Sequence, residues 1–182
     1  MARVQLATLV PNTIDFYPTH GLPAAVRAPI YRLYARLLIV EPGADARLLS
    51  SVDTGEAGRR IKAVVDTGSG ISIFAYQTWK SFEQEIRWPK PVVKSGSPEP
   101  KVTVLGGKWP YRLGQIRIAA IDIHRNWFEP VWTLALFLEN VPDAPNVNIL
   151  GLGSSFFKHR QLRHAGYDPG ELPIWWLEDV RE

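Results

Sequence analysis

Residues 50–74 read SSVDTGEAGRRIKAVVDTGSGISIF, and Asp-Thr-Gly occurs in them twice, as Asp53-Thr54-Gly55 and as Asp66-Thr67-Gly68. Alone the tripeptide says little, since Asp and Gly flank turns of every kind. The settings of the two copies differ. Asp53 opens the polar run DTGEAG between ARLLSSV and RRIKAVV, so it falls where the tip of a hairpin belongs. Asp66 follows Ile61, Ala63, Val64 and Val65 and precedes Ile71 and Ile73. A buried apolar strand thus delivers a carboxylate into a glycine-containing loop, where lost hydration has to be offset by hydrogen bonds or by function. Asp66 is the candidate; Asp53, thirteen positions earlier and without the apolar lead-in, is a decoy.

Working outward, strand patterns dominate. APIYRLYARLLIV, from Ala28, reads as a long strand stopped by the turn signal EPGAD. KVTVLGGKWPYRLGQIRIAAIDI reads as two strands around GGKWP, and EPVWTLALFL, NVNILGLG and ELPIWWLEDV each supply another. Ala75, Trp79, Phe82 and Ile86 recur at near-helical spacing, which predicts a short amphipathic helix over 75–87, with a loop at 89–100. A second short helix is expected in SSFFKHRQLRH, which opens on an N-cap serine. Residues 1–28 are Pro-rich and aperiodic and are expected to form an irregular arm, leaving 29–182 as the domain. The fold class is therefore mainly β, with one or two short helices.

Composition narrows the function classes. With 182 residues, 46% hydrophobic and 21% charged, the chain supports one domain with a real core. A net charge of +3 without clustered basic residues gives no nucleic-acid footprint. Cysteine is absent, which excludes disulfides, thiol catalysis and Cys-based zinc sites. His159 and His164 lie five apart, which is not a metal-ligand spacing on a helix, and GLGSSF lacks the glycine that would complete a dinucleotide fingerprint. No nucleophile elbow is present. The apolar runs are too short to cross a bilayer and the N-terminus lacks a signal h-region, so the expectation is a cytoplasmic protein with no membrane or nucleic-acid partner and no metal or cofactor.

Val64-Val65-Asp66-Thr67-Gly68-Ser69 resembles the active-site loop of aspartic proteases, and Ile149-Leu150-Gly151 matches the apolar-apolar-Gly element that packs against it. The likeness runs in order from about residue 29 to 180. One good motif in 182 residues is similar to the retropepsin-like branch, in which two identical subunits build one site. The resemblance implies a closed, barrel-like acid-protease half and an endopeptidase that hydrolyses polypeptide as a homodimer. Asp66 would be its catalytic residue, paired with its own symmetry mate, because two close carboxylates share one proton and so supply both base and acid. It further implies that Thr67 braces the two loops, that Gly68 allows close backbone approach, and that Ser69 bonds the outer carboxylate oxygen. Gly106, Gly107, Trp109 and Tyr111 would belong to a flap, although the same residues also read as a plain surface hairpin. Trp175 and Trp176 are candidates for the dimer contact. The 85 positions from Asp66 to Gly151 exceed the compact viral spacing and suit cellular or bacterial members.

Two rival readings stay open. The domain could be an inactive peptide-binding or dimerisation module that keeps the fold without the chemistry. VVDTGSGIS also resembles the first phosphate hairpin of actin-like ATPases, but it begins far from the N-terminus, no second hairpin is visible and the chain is short for that fold.

Overall fold

Along Arg60–Asp66 the exposed Lys62 alternates with buried Ala63 and Val65, the period-two pattern of a strand with one face in the core. The computed structural model describes residues 3–16, 26–42, 60–90, 99–124, 126–165 and 174–180. Asp53, the strand expected in ARLLSSV and most of the loop at 89–100 lie outside the described residues.

Ten strands are described: β1 (Arg3–Phe16), β2 (Val26–Ile39), β3 (Arg60–Asp66), β4 (Ser72–Phe74), β5 (Lys101–Val104), β6 (Gly107–Ala120), β7 (Val131–Leu138), β8 (Ile149–Gly151), β9 (Arg160–His164) and β10 (Trp175–Asp179). The fold is mainly β. Following the pairings β2–β3–β8–β4–β7–β6 leads back to β2, because Leu37, Leu38 and Ile39 also pair with Ala120, Ala119 and Ile118. The sheet therefore closes on itself, which removes the exposed edges of those six strands. Inside sit Leu37, Ile39, Phe74, Ile116, Ile118 and Phe137, each essentially inaccessible to solvent. Phe74 stacks on Phe137 with ring centroids 5.6 Å apart.

The helix expected over 75–87 is present only as one turn, α1 (Tyr76–Trp79), continued by 3-10 turns over Lys80–Glu85. Phe82 leaves helical geometry at φ −132°, and both it and Trp79 are buried. Trp79 also donates its indole N–H to the Leu138 carbonyl at 2.8 Å, fixing α1 against β7.

Two expectations are corrected. Residues 3–16 are not irregular: they form β1, which pairs with β2 and, through Arg3 to Leu6, with β10. The prolines mislead here because Pro11 falls in a bulge, where two residues (Val10 and Pro11) oppose one (Tyr31) and no ladder N–H is required. The helix expected in SSFFKHRQLRH is a 3-10 turn at Ser155–Phe157 followed by β9. Phe156 and Phe157 are adjacent and both buried, a demand one helix stripe does not meet, and Arg160 to His164 pair with β10 instead. Between these outer strands the buried carboxylate of Glu178 holds Arg3 at 2.5 Å and Arg163 at 2.9 Å. Among the described residues no helix is long and apolar enough to cross a membrane.

Candidate functional site

Asp66 is the last residue of β3. The strands on either side of its loop, β3 and β4, are not each other's partners; β8 runs between them, parallel to β3 and antiparallel to β4. Register places Val65 beside Leu150 and Asp66 beside Gly151. The carboxylate is thus presented at the end of a fully packed strand, half-buried, with one oxygen bound locally: the Gly68 N–H donates to Oδ1 at 2.9 Å. The Ser69 N–H donates to the Asp66 carbonyl at 3.4 Å and closes the turn.

β8 locks the loop from below. A Cβ on Gly151 would stand 2.4 Å from the Ile71 carbonyl oxygen and 2.8 Å from that of Ser69. One on Gly153 would stand 2.5 Å from the Gly70 carbonyl oxygen. These contacts are with backbone, so only glycine lets the two segments approach so closely. The Gly151 N–H donates to Ser72 Oγ at 3.3 Å, and both residues are buried. Ile149, Leu150 and Gly151 form β8, and the Gly151 backbone lies directly against residues 69 and 71 of the loop.

Of the loop residues, Thr67 is exposed in the single chain. Ser69 Oγ donates to the Ile71 carbonyl at 2.7 Å, so its one proton is directed along the loop and not to the carboxylate, contrary to expectation. Gly68 is less constrained than expected: a Cβ there would meet Asp66 Oδ1 at 3.4 Å, an ordinary contact. The close approach that demands glycine lies at 151 and 153.

The hairpin over residues 101–110 turns through two residues, Leu105 and Gly106, with φ of 50° and 81°. Two left-handed residues between paired Val104 and Gly107 form the tight turn whose twist matches a hairpin. Trp109 lies across Gly107, where a Cβ would come within 2.5 Å of the indole, and its N–H donates to the Val104 carbonyl at 3.1 Å. Leu105 at the tip is 76% exposed. Val102, Val104, Trp109 and Tyr111 share one apolar cluster with Ile71, Ile73, Val147 and Ile149. The structure therefore joins the candidate flap and the Asp66 loop through a common set of side chains, on the sheet face opposite the main core.

Asn148 was missed in the sequence. Its backbone carbonyl accepts from the Val64 N–H at 2.8 Å, its Oδ1 from the Ala75 N–H at 3.1 Å, and its Nδ2 donates to the Lys62 carbonyl at 3.0 Å. One amide thus ties β3 and the start of α1 to the head of β8. The only sequence signal is a polar residue placed directly before the apolar run Ile149-Leu150.

Among solved structures the chain is similar to a retropepsin-like aspartic protease from Rickettsia conorii, with a TM-score of 0.38 and 9% identity over 94% of this chain and 92% of that one. No family model and no curated protein matches.

Proposed function

We propose that the chain is a retropepsin-like aspartic endopeptidase, active as a homodimer in which Asp66 of each copy faces the other across a two-fold axis. The observation that carries this reading is the cradle of Asp66. A carboxylate stands at the end of a core strand, on a loop held by backbone contact with Gly151 and Gly153, with one oxygen bound by the Gly68 N–H and the side chain half-open to solvent. Purely structural aspartates look different here. Asp122, 7% exposed, accepts from the Gln5, His124 and Asn126 N–H groups and from the Asn126 side chain.

In the dimer the ionised carboxylate takes a proton from water as the water oxygen bonds to the scissile carbonyl carbon. The protonated carboxyl of the other copy gives its proton to the carbonyl oxygen, forming a neutral gem-diol. The C–N bond then breaks as a proton passes to the amide nitrogen, leaving an amine, a carboxyl group and the pair again sharing one proton. The hairpin tipped by Leu105 closes over the bound polypeptide and excludes water, with Trp109 holding it in shape.

The test is cleavage of a denatured protein mixture from about pH 3 to about pH 8, read by mass spectrometry, for the parent, Asp66→Asn and Asp53→Asn. Loss of cleavage in the first variant and retention in the second supports the reading. An inactive parent with an intact dimer refutes it.

A further inference from the structure

The pairing of β2 with β3 gathers four cations from two separate stretches of the chain. Arg36 stands directly opposite Lys62, and Arg60 opposite Leu38. Continuing the same register by two residues sets Arg32 level with Asp66. Directly opposed residues share a face and faces alternate along each strand, so Arg32, Arg36, Arg60 and Lys62 lie on the face that also carries Asp66. Burial follows the same alternation. Ala35, Leu37, Ala63 and Val65 are buried on the other face, whereas all four cations are exposed and Asp66 is half-buried. At ~3.3 Å per residue the track runs about 20 Å from the level of Asp66 to Arg60.

This positive charge is not balanced from within. Like charges set directly across a ladder repel, so Arg36 against Lys62 is a cost to the fold. Among the described residues none sets a carboxylate within ion-pair distance of Arg32, Arg36, Arg60 or Lys62. Other exposed arginines are answered by the chain itself: Arg3 and Arg163 by Glu178, and Arg112 by Glu83 and Glu139. Unanswered charge of one sign raises the local concentration of an oppositely charged partner and steers its approach. Four cations on a chain of net charge +3 make a small footprint for a nucleic acid, while polypeptide is what the Asp66 loop would act on.

We propose that the Arg32/Arg36/Arg60/Lys62 face of β2 and β3 is a docking track for acidic polypeptide, holding an Asp- or Glu-rich stretch of substrate while a neighbouring stretch lies at Asp66. This rests on the protease reading given above and names its substrate class.

The probe is a fluorescent poly-glutamate peptide, titrated with the full chain and read by anisotropy at low and at physiological salt. Arg36→Glu/Lys62→Glu weakens binding by at least ~10-fold, and the gap narrows as salt rises. Lys90→Glu/Lys158→Glu makes the same change in net charge at two exposed positions off the track and shifts binding by less than ~2-fold. Arg36→Gln/Lys62→Gln separates docking from folding: it weakens binding several-fold yet melts no lower than the parent, because the opposed charges are gone. In cleavage assays the charge-reversed variant raises KM more for peptides with an acidic flank than for neutral ones. Poly-glutamate bound equally by the parent and the charge-reversed variant, a Gln variant that melts well below the parent, or a single-stranded oligonucleotide bound more tightly than poly-glutamate each overturns the track. Should poly-glutamate binding depend on Arg36 and Lys62 in a chain that never cleaves protein, the track stands and the protease reading falls. Should Asp66-dependent cleavage be indifferent to acidic flanks and to the charge reversal, only the track falls.

Discussion

Gly151→Ala isolates what the loop-packing strand does. The added methyl would lie 2.4 Å from the Ile71 carbonyl oxygen, 2.6 Å from its carbon and 2.8 Å from the Ser69 carbonyl oxygen. None is the movable end of a side chain. Neither segment has room to retreat, since Leu150 and Ser72 are fully buried and Val65 nearly so. Overpacking of a close-packed core costs typically ~1–3 kcal/mol, and three backbone contacts place this case near the upper end, at about 3 kcal/mol. For a domain of this size that corresponds to a fall of roughly 6–12 °C in Tm. Relief by displacing residues 69–71 would also move the Asp66 carboxylate, so the variant should lose more activity than the fraction unfolded explains. Gly70→Ala is the control: a Cβ there meets nothing within 4 Å. It should stay within about 0.5 kcal/mol of the parent, as substitutions away from packed features do. Thermal melts and cleavage assays well below Tm read both quantities. Equal melting temperatures for Gly151→Ala and Gly70→Ala would refute the account of β8 as a backbone lock.

Other outcomes follow from single contacts. Asn148→Ala removes the bonds to Ala75 and Lys62 and should cost about 1–3 kcal/mol by denaturant titration, with the largest rise in hydrogen exchange at residues 75–79. Asp122→Ala leaves the Gln5, His124 and Asn126 N–H groups without their acceptor, and about 2–3 kcal/mol of stability should go with it. Trp109→Phe keeps the ring but loses the bond to Val104; peptide KM should rise several-fold with Tm changed by only a few degrees, a pattern expected of a substrate-closing hairpin. Glu178→Gln should cost only about 1 kcal/mol, because Arg3 and Arg163 are more than half exposed and return to water once the charge is gone.

The candidate site was legible because its sequence signal is local. Asp66 stands out by what precedes it, since a run of β-branched residues ending in Asp-Thr-Gly signals a strand delivering a carboxylate into a turn. Ile149-Leu150-Gly151 carries the same strand-to-glycine pattern, and the register puts Gly151 level with Asp66. Which glycine is forced was not legible, because the clash belongs to two segments far apart in sequence. Gly68, beside the carboxylate, has room for a Cβ, whereas Gly151 and Gly153 do not. Asn148 was invisible for the same reason: its partners at 62 and 75 are set by tertiary placement alone.

The two misread segments show where local pattern yields to sheet pairing. Prolines argue against a central ladder, yet β1 accepts Pro11 by giving two residues to its partner's one, and the strand resumes in phase for five more pairs. Ser154-Ser155 looks like a helix start, but consecutive buried phenylalanines cannot lie on one helical stripe, so the chain makes a single turn and then pairs with β10. Both errors concern the strands that flank the closed sheet; five of its six members were expected as strands, and the three-residue β4 (Ser72–Phe74) was not. That division has a functional side. The closed sheet holds Asp66 and its packing strand, so in the proposed homodimer each copy would supply one carboxylate already set in its cradle. The flanking strands β1, β9 and β10 are where residue-by-residue propensity is least informative and pairing decides.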